Sequence, residues 1–229
     1  MNKFDINLIL VGGGGFALEL FSYISDEKLK NIIPNVQIKG VLDSSPNCEL
    51  CEKESKVKYL GNISKYKVQK NDFGLIAIGN TSARKVLFEL ANKISLPLFT
   101  YIHSTASVAS NANIGKGVFV GPHSIISAHS SISDNVAMNV YCGVGHGASI
   151  HKNSIMSPYS VINGDCELGE GVFLGSRVTL NPTIKIGDFS AIDSGSIIRE
   201  NIPPFSIVSQ RVPQQVNANR ILKQEILGK

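Results

Sequence analysis

From Val108 to Ile198 every sixth residue is aliphatic or methionine, with no gap and no insertion: Val108, Ile114, Val120 and Ile126 open the series, and Leu180, Ile186, Ile192 and Ile198 close it. Four residues after each comes a small or aliphatic residue, as at Ala112, Ser124, Cys142, Ser154, Val172 and Ile202. A period of six fits neither a lone helix nor a simple strand. It fits a solenoid in which each hexad is one short strand and one turn, with the large residue pointing inward and the small one filling a corner. Glycine often follows the large residue, as in Ile114-Gly115, Leu168-Gly169 and Ile186-Gly187. There it is expected to supply turn dihedrals that other residues resist. Three hexads close a triangular coil, so the run predicts a parallel β-helix of a little over five coils, roughly 25 Å tall at the strand spacing of about 4.8 Å. Stacking then places His146 beneath Gly164 and Gly147 beneath Asp165. Cys142 and Cys166 fall on different faces, as core fillers.

The first hundred residues follow another rule. Ile6–Val11, Ile38–Leu42 and Phe73–Ile78 are apolar runs of strand length, and Pro97–Tyr101 reads as a further strand. Helices are expected from about Phe16 to Ser25 and from Thr81 to Lys93. Alternation of this kind predicts a small parallel α/β sheet, giving domains 1–101 and 102–229. Gly12-x-Gly14-x-x-Ala17 lies after a strand and before a helix, as a dinucleotide-binding turn does. Amides at that helix start can cradle phosphate, and Asp43, ending the second strand, can accept ribose hydroxyls. Ligands of such sheets bind at the carboxyl ends of strands, where Gly12, Gly13, Gly14, Gly15, Asp43 and Asn80 converge. The competing reading is a glycine turn that only packs helix on strand.

Composition excludes several classes. Hydrophobic residues make up 43% and charged residues 17% of the 229, which suits a globular chain. The net charge is +4, and its lysines (Lys53, Lys56, Lys58, Lys65, Lys67, Lys70) are spread as on a solvated face, not gathered as for nucleic acid. No apolar run approaches the roughly 20 residues of a membrane span, and Met1–Asp5 does not begin a signal peptide. A cytoplasmic protein with reduced thiols is expected. The lone C-x-x-C at Cys48 and Cys51 has no second pair and no neighbouring histidine, and reads as a loop coincidence.

Together the two parts resemble the sugar O- and N-acyltransferases of the PglD/NeuD type. The resemblance rests on Ile9–Gly15, Val41-Leu42-Asp43, Ile76–Asn80 with Arg84, Ile102–Ala106, Ile202-Pro203-Pro204 and Val212-Pro213, and covers nearly the whole chain. It implies a Rossmann-like domain that holds a nucleotide-sugar, not NAD, followed by a left-handed hexapeptide β-helix. It further implies an acetyl-CoA-dependent homotrimer with sites in the clefts between prisms, working in surface-glycan (O-antigen) biosynthesis without a metal. Its catalytic histidine falls on His146. Gly164, Ser176 and Ser194 would hold the pantetheine arm, while Gly12–Gly15, Asp43, Asn80 and Arg84 would bind the sugar nucleotide. Two positions depart from the pattern: Gly147 stands where a carboxylate usually follows the histidine, and Phe16 where the glycine turn often has a histidine.

Acyl transfer from a thioester needs a base near neutral pH, which suits histidine. Asp165, stacked above Gly147, is the candidate to orient His146, with a backbone carbonyl or a water as the alternative. His129 should approach from the coil below; His123 and His151 read as surface or interface residues. The expected activity is N-acetylation of a nucleotide-linked amino sugar. O-acetylation of a sialic acid or similar sugar, and a β-helical binding protein without chemistry, are the competing readings.

Overall fold

A computed structural model describes residues 6–209. Three parallel strands, β1 (Ile6–Val11), β2 (Val36–Leu42) and β3 (Asp72–Ile76), lie in the order β2-β1-β3. They are connected by α1 (Gly15–Leu29) and the short α2 (Glu49–Lys53), and β3 leads into α3 (Thr81–Lys93). Leu8, Leu10 and Leu75 bury one face of the sheet under α1 through Ala17, Leu20 and Ile24. Ile9, Val11 and Ile76 bury the other with Ala91 of α3. The sequence reading missed α2. Its expected strand over Pro97–Tyr101 is reduced to one bridge, Gly74 to Leu98, and a two-residue strand at Tyr101–Ile102 that already belongs to the solenoid.

The solenoid is a parallel β-helix whose two-residue strands form three faces of seven, six and five strands. Register repeats at 18 residues, as in the ladder contact of Asn135 with Asn153. The large residues, from Val120 through Met138, Met156, Leu174 and Ile192, are wholly buried. The small positions do more than fill corners. Ser124 and Ser154 each donate to a carbonyl of the next coil at 2.8 Å. Each also accepts an amide from that coil, at 3.1 and 3.0 Å. Cys142 and Cys166 are buried free thiols, and burial pushes Cys142 up to about 12.

Two expectations need correction. The glycine after each large residue does not supply positive φ. That conformation falls two residues later, at His123, His129, Asn135, Tyr141 and their successors, with φ between 56° and 66° at the positions that are not glycine. For side chains other than glycine this costs on the order of 1 kcal/mol each, which the stacked coils must offset. The glycine after the large residue is there because the next coil passes too close: a Cβ on Gly145 would lie 2.5 Å from Asn163 C and Gly164 N. The second correction concerns Ile202. It bridges Ile186, in the large position, and the coil above it is shortened, with contacts at a separation of 16. Val212-Pro213 and Met1–Asp5 lie outside the described residues.

The α/β unit docks on the seven-stranded face, whose outward residues Tyr101, Phe119, Ala137 and Ile155 are buried. Phe119 meets Phe16 edge-on at 5.4 Å and stacks on Tyr101 at 6.0 Å. Buried Glu27 accepts from Tyr101 Oη at 2.8 Å and from the Ser104 amide at 2.7 Å. On the other side Arg84 is fully buried. It donates through Nε to Asn135 O at 2.7 Å and through Nη1 to Ile76 O at 2.8 Å and Ile78 O at 3.3 Å.

Candidate active site

His146 stands on the turn after the six-stranded face, where the chain leaves Gly143–Val144. Its ring lies against the backbone of Gly164 one coil on: a Cβ there would sit 2.6 Å from His146 Cε1 and Nε2. Asp165 is in the next position of that coil. Its Oδ2 is 3.9 Å from His146 Nδ1, and both side chains are largely exposed, at 73% and 61%. That separation is within reach of an ion pair when the ring carries a proton and is too long for a hydrogen bond. A Cβ on Gly147 would collide with Asp165 Oδ1, so the missing side chain at 147 is what lets the Asp165 carboxylate reach over toward the imidazole. His129 heads the same column, one coil below Gly147, and is taken up by Asn111: Nε2 to Asn111 Nδ2 is 3.2 Å.

Ser176 and Ser194 occupy another edge of the prism, the turn after the seven-stranded face, where the Ser176 amide donates to Ser194 Oγ at 3.1 Å. Within one chain the six-stranded face separates them from His146 and Gly164. The three residues expected to hold one pantetheine arm are therefore not brought together by a single chain.

At the glycine turn, Asp43 points back into the protein. Its Oδ2 accepts the Gly13 amide at 2.8 Å and its Oδ1 the Ser45 amide at 3.0 Å. Cys48 covers Gly13 so closely that no Cβ fits, and the Gly13 carbonyl accepts the Leu50 amide at 2.8 Å. The C-x-x-C thus packs the turn, and Cys51 is pushed up to about 11 by burial and by its contact with Cys48. Gly14 and Gly15 are exposed and Gly14 makes no side-chain cap; the first amides of a helix have no intrahelical acceptor, so this end of α1 can receive an anion. Gly12 and Asp43 line a pocket of about 170 Å³ with Ser44 and Asn62. Asn80 is the N-cap of α3 and accepts the Ala83 amide at 2.9 Å. Arg84 is a correction: it has no exposed surface, its Nε and Nη1 donate to backbone carbonyls of both domains while Nη2 is buried without a partner among the described residues, and it fastens the α/β unit to the solenoid instead of lining the glycine turn.

Sequence reasoning missed the crevice between the domains. About 160 Å³ lies between Phe16, Glu19 and Gly79 on the α/β side and Asn139, Ser157 and Phe173 on the solenoid side. Asn139 Nδ2 reaches Glu19 Oε2 at 3.4 Å across it. The crevice adjoins the start of α1 and the edge that carries Ser176, and Phe16, noted as a departure at the glycine turn, forms part of its wall.

Residues 7–91 match the family model of the PglD N-terminal domain. Galactoside O-acetyltransferase of Escherichia coli (strain K12) is 35% identical over 117 residues, covering 48% of this chain and 55% of that protein. The chain spans about half the length, or less, of the first curated relatives it matches. Among solved structures, the perosamine N-acetyltransferase of Caulobacter crescentus, in complex with CoA and GDP-perosamine, superposes with a TM-score of 0.77 at 22% identity, over 93% of this chain and 97% of that one. The acetyltransferase domain of PglB from Neisseria gonorrhoeae FA1090 gives 0.71 at 19% identity, over 86% and 93%. These two share the fold over most of the chain.

Proposed function

Taking the chain as a PglD/NeuD-type sugar acyltransferase of the left-handed β-helix kind, we propose that it transfers the acetyl group of acetyl-CoA to the amino group of a nucleotide-linked amino sugar. The observation that carries this reading is the His146 ring laid on the bare backbone of Gly164 with the Asp165 carboxylate 3.9 Å from Nδ1. In that arrangement Nε2 takes a proton from the attacking nitrogen as its C–N bond to the thioester carbonyl forms. The C–S bond then breaks, and the proton passes to the leaving sulfur. Asp165, 3.9 Å from Nδ1, steadies the imidazolium through its charge. The amides of Gly14 and Gly15 receive the diphosphate, and the crevice between Phe16, Glu19 and Asn139 takes the sugar.

The same reading requires more than one chain. His146 and the sugar crevice lie on different sides of the prism, and so do Gly164 and Ser176. A homotrimer packed through the six-stranded face, where Ile125 is 54% exposed, sets the His146 edge of one chain beside the Ser176 edge of its neighbour. The pantetheine arm then runs between Gly164 of one copy and Ser176 and Ser194 of the next. We place the enzyme in the cytoplasm, in surface-glycan biosynthesis.

O-acetylation is the second reading, favoured by the 35% identity to a galactoside O-acetyltransferase over half the chain. A panel of nucleotide sugars bearing either an amine or only hydroxyls, assayed with acetyl-CoA by release of free thiol, decides between them. Turnover of the amino sugars that falls in His146→Ala supports the proposal. Turnover of hydroxyl acceptors alone supports O-acetylation, and none with either class defeats both.

A further inference from the structure

A groove of about 510 Å³ lies where the α/β unit hands the chain to the first coils of the solenoid. It shares no lining residue with the crevice of Phe16 and Glu19 or with the pocket at Asp43, and is about three times the volume of either, about 160 and 170 Å³. Phe73 of β3 and Phe88 of α3 supply its rings. Both are half-buried, and neither is packed into the apolar clusters that build the α/β unit. Leu96 and Leu98 of the linker complete the apolar lining. The groove is held in shape by backbone. Gly74 N donates to Pro97 O and Phe99 N to Gly74 O, each at 2.8 Å, so the linker runs beside β3. The linker in turn presses on the solenoid, where a Cβ on Gly117 would lie 2.9 Å from Leu98 Cδ1. On the solenoid side stand Lys116 and Asp134, one coil apart. Asp134 Oδ1 accepts the Lys116 amide at 2.8 Å, which fixes the carboxylate and leaves Oδ2 without a partner among the described residues. The Lys116 ammonium has no partner among them either, Asp134 included.

We propose that this groove binds a free α-amino acid with an aromatic side chain, its ring against Phe73 and Phe88, its carboxylate at Lys116 and its ammonium at Asp134. The proposal is independent of the acyl-transfer reading. Sites for small molecules are preformed hollows of roughly 300–1,000 Å³, mostly apolar with a few polar groups, and they favour domain boundaries. The charges choose the class. A cation and a carboxylate stand at one mouth without pairing to each other, so a ligand with a single charge satisfies one and faces the other. A zwitterion satisfies both. Neighbouring coils are about 4.8 Å apart, a spacing that two groups on one α-carbon can bridge. The rings choose the side chain, because aromatic pairs gain more than the area they bury. A ligand held by β3 and α3 on one side and by the solenoid on the other ties the two domains together, and so raises the melting temperature.

The test is calorimetric titration of the full chain with L-phenylalanine, 3-phenylpropionate and 2-phenylethylamine, which share the ring and carry both charges, the negative one and the positive one. L-Phenylalanine is expected to bind once per chain with a dissociation constant of about a millimolar or tighter. Each analogue should bind at least about threefold more weakly, the worth of an ion pair at a half-open mouth. Lys116→Gln should weaken L-phenylalanine and 3-phenylpropionate by that factor and leave 2-phenylethylamine unchanged. Asp134→Asn, which keeps an acceptor for the Lys116 amide, should weaken L-phenylalanine and 2-phenylethylamine instead. Phe88→Ala should weaken all three about fivefold to tenfold. Asn92→Trp, which changes an exposed residue of the lining, should fill the groove and block all three without touching either charge. Absence of saturable binding by L-phenylalanine overturns the proposal. So does equal affinity for the three ligands, or L-phenylalanine affinity unchanged in both Phe88→Ala and Asn92→Trp. An equal loss for all three in Lys116→Gln overturns it too, because the lysine would then act on the shape of the groove and not on the carboxylate. None of these readouts involves acetyl-CoA, so each of these failures leaves the acyl-transfer reading standing.

Discussion

The imidazole of His146 rests on the α-carbon of Gly164, so closely that a methyl group at 164 would lie 2.6 Å from two of its ring atoms. The neighbouring group is the far end of an exposed side chain, so it can swing away, and Gly164 is not in the left-handed region. Gly164→Ala is therefore expected to keep the melting temperature within a few degrees and to displace the base. Turnover should fall at least about tenfold, with His146→Ala falling by about 10² to 10⁴ and Asp165→Asn by less than His146→Ala. Full turnover in Gly164→Ala would mean that the ring does not work from the position seen here.

Arg84 should betray itself in stability and not in substrate affinity. Burial pulls its guanidinium down to about 9, so it is still charged at neutral pH, held by three backbone carbonyls. Arg84→Ala strands those acceptors at about 1–3 kcal/mol each, so a loss of at least about 3 kcal/mol is expected. Arg84→Lys should rescue little, because one ammonium cannot replace a planar fork that serves both domains. Urea denaturation measures this; a loss below about 1 kcal/mol in Arg84→Ala would show that the link between the domains lies elsewhere.

Acid should loosen the protein in two stages. Burial holds His103 below its ordinary 6.5, against the pull of Glu27. Its neutral form is the one the fold prefers, so this contribution is present above 6.5 and is lost as pH falls through the lowered value. Glu27 and Asp72 come next. Burial would raise both, but it is outweighed by Ser104, Tyr101 and His103 at Glu27, and by Lys39, Tyr66 and Gln69 at Asp72, which hold them below 4.5 and 3.8. Their contribution is present above those ordinary values and lost as pH falls through the lowered ones. Melting temperature followed from pH 7 to 3 should decline in both windows, with His103→Gln flattening the first and Glu27→Gln part of the second. A curve of identical shape in both variants would sink this assignment.

What the sequence reveals here follows from the range of the interactions. The hexads were legible because each one repeats the same local demand, a large residue inward and a small one at the corner. His146, Gly164 and Asp165 were placed correctly because a fixed coil length turns sequence separation into contact. Gly145 shows the limit: the pattern marks a glycine but not its reason, which is the next coil passing 2.5 Å from its missing side chain. The crevice of Phe16, Glu19, Asn139 and Ser157 could not be read, because it joins residues more than a hundred positions apart through domain docking. Arg84, assigned to the substrate only through the family resemblance, could not be seen as buried for the same reason: its partner Asn135 is 51 residues away, on the solenoid face that closes over it.

The last prediction concerns assembly. Of the three faces, the seven-stranded one is covered by the α/β unit from Tyr101 to Ile155, and the five-stranded one carries Glu167 and Lys185, paired at 3.0 Å, with His151 beside them. The six-stranded face presents Ser107, Ile125, Gly143, Val161, Thr179 and Ile197, with no charge among them. Exposed Ile125 on an uncharged sheet face is what an isologous or cyclic contact needs, and closed symmetry is the usual solution. Light scattering is expected to give three chains. Ile125→Arg brings three like charges together near the axis and should yield monomers that keep their melting temperature but lose turnover. Because His146 and the crevice would come from different copies, mixing inactive His146→Ala with an inactive crevice variant such as Asn139→Ala, followed by unfolding and reassembly, should restore a measurable fraction of turnover. Full turnover in a monomeric Ile125→Arg, or no recovery in mixed assemblies that scattering shows to be trimeric, would place both halves of the site within one chain.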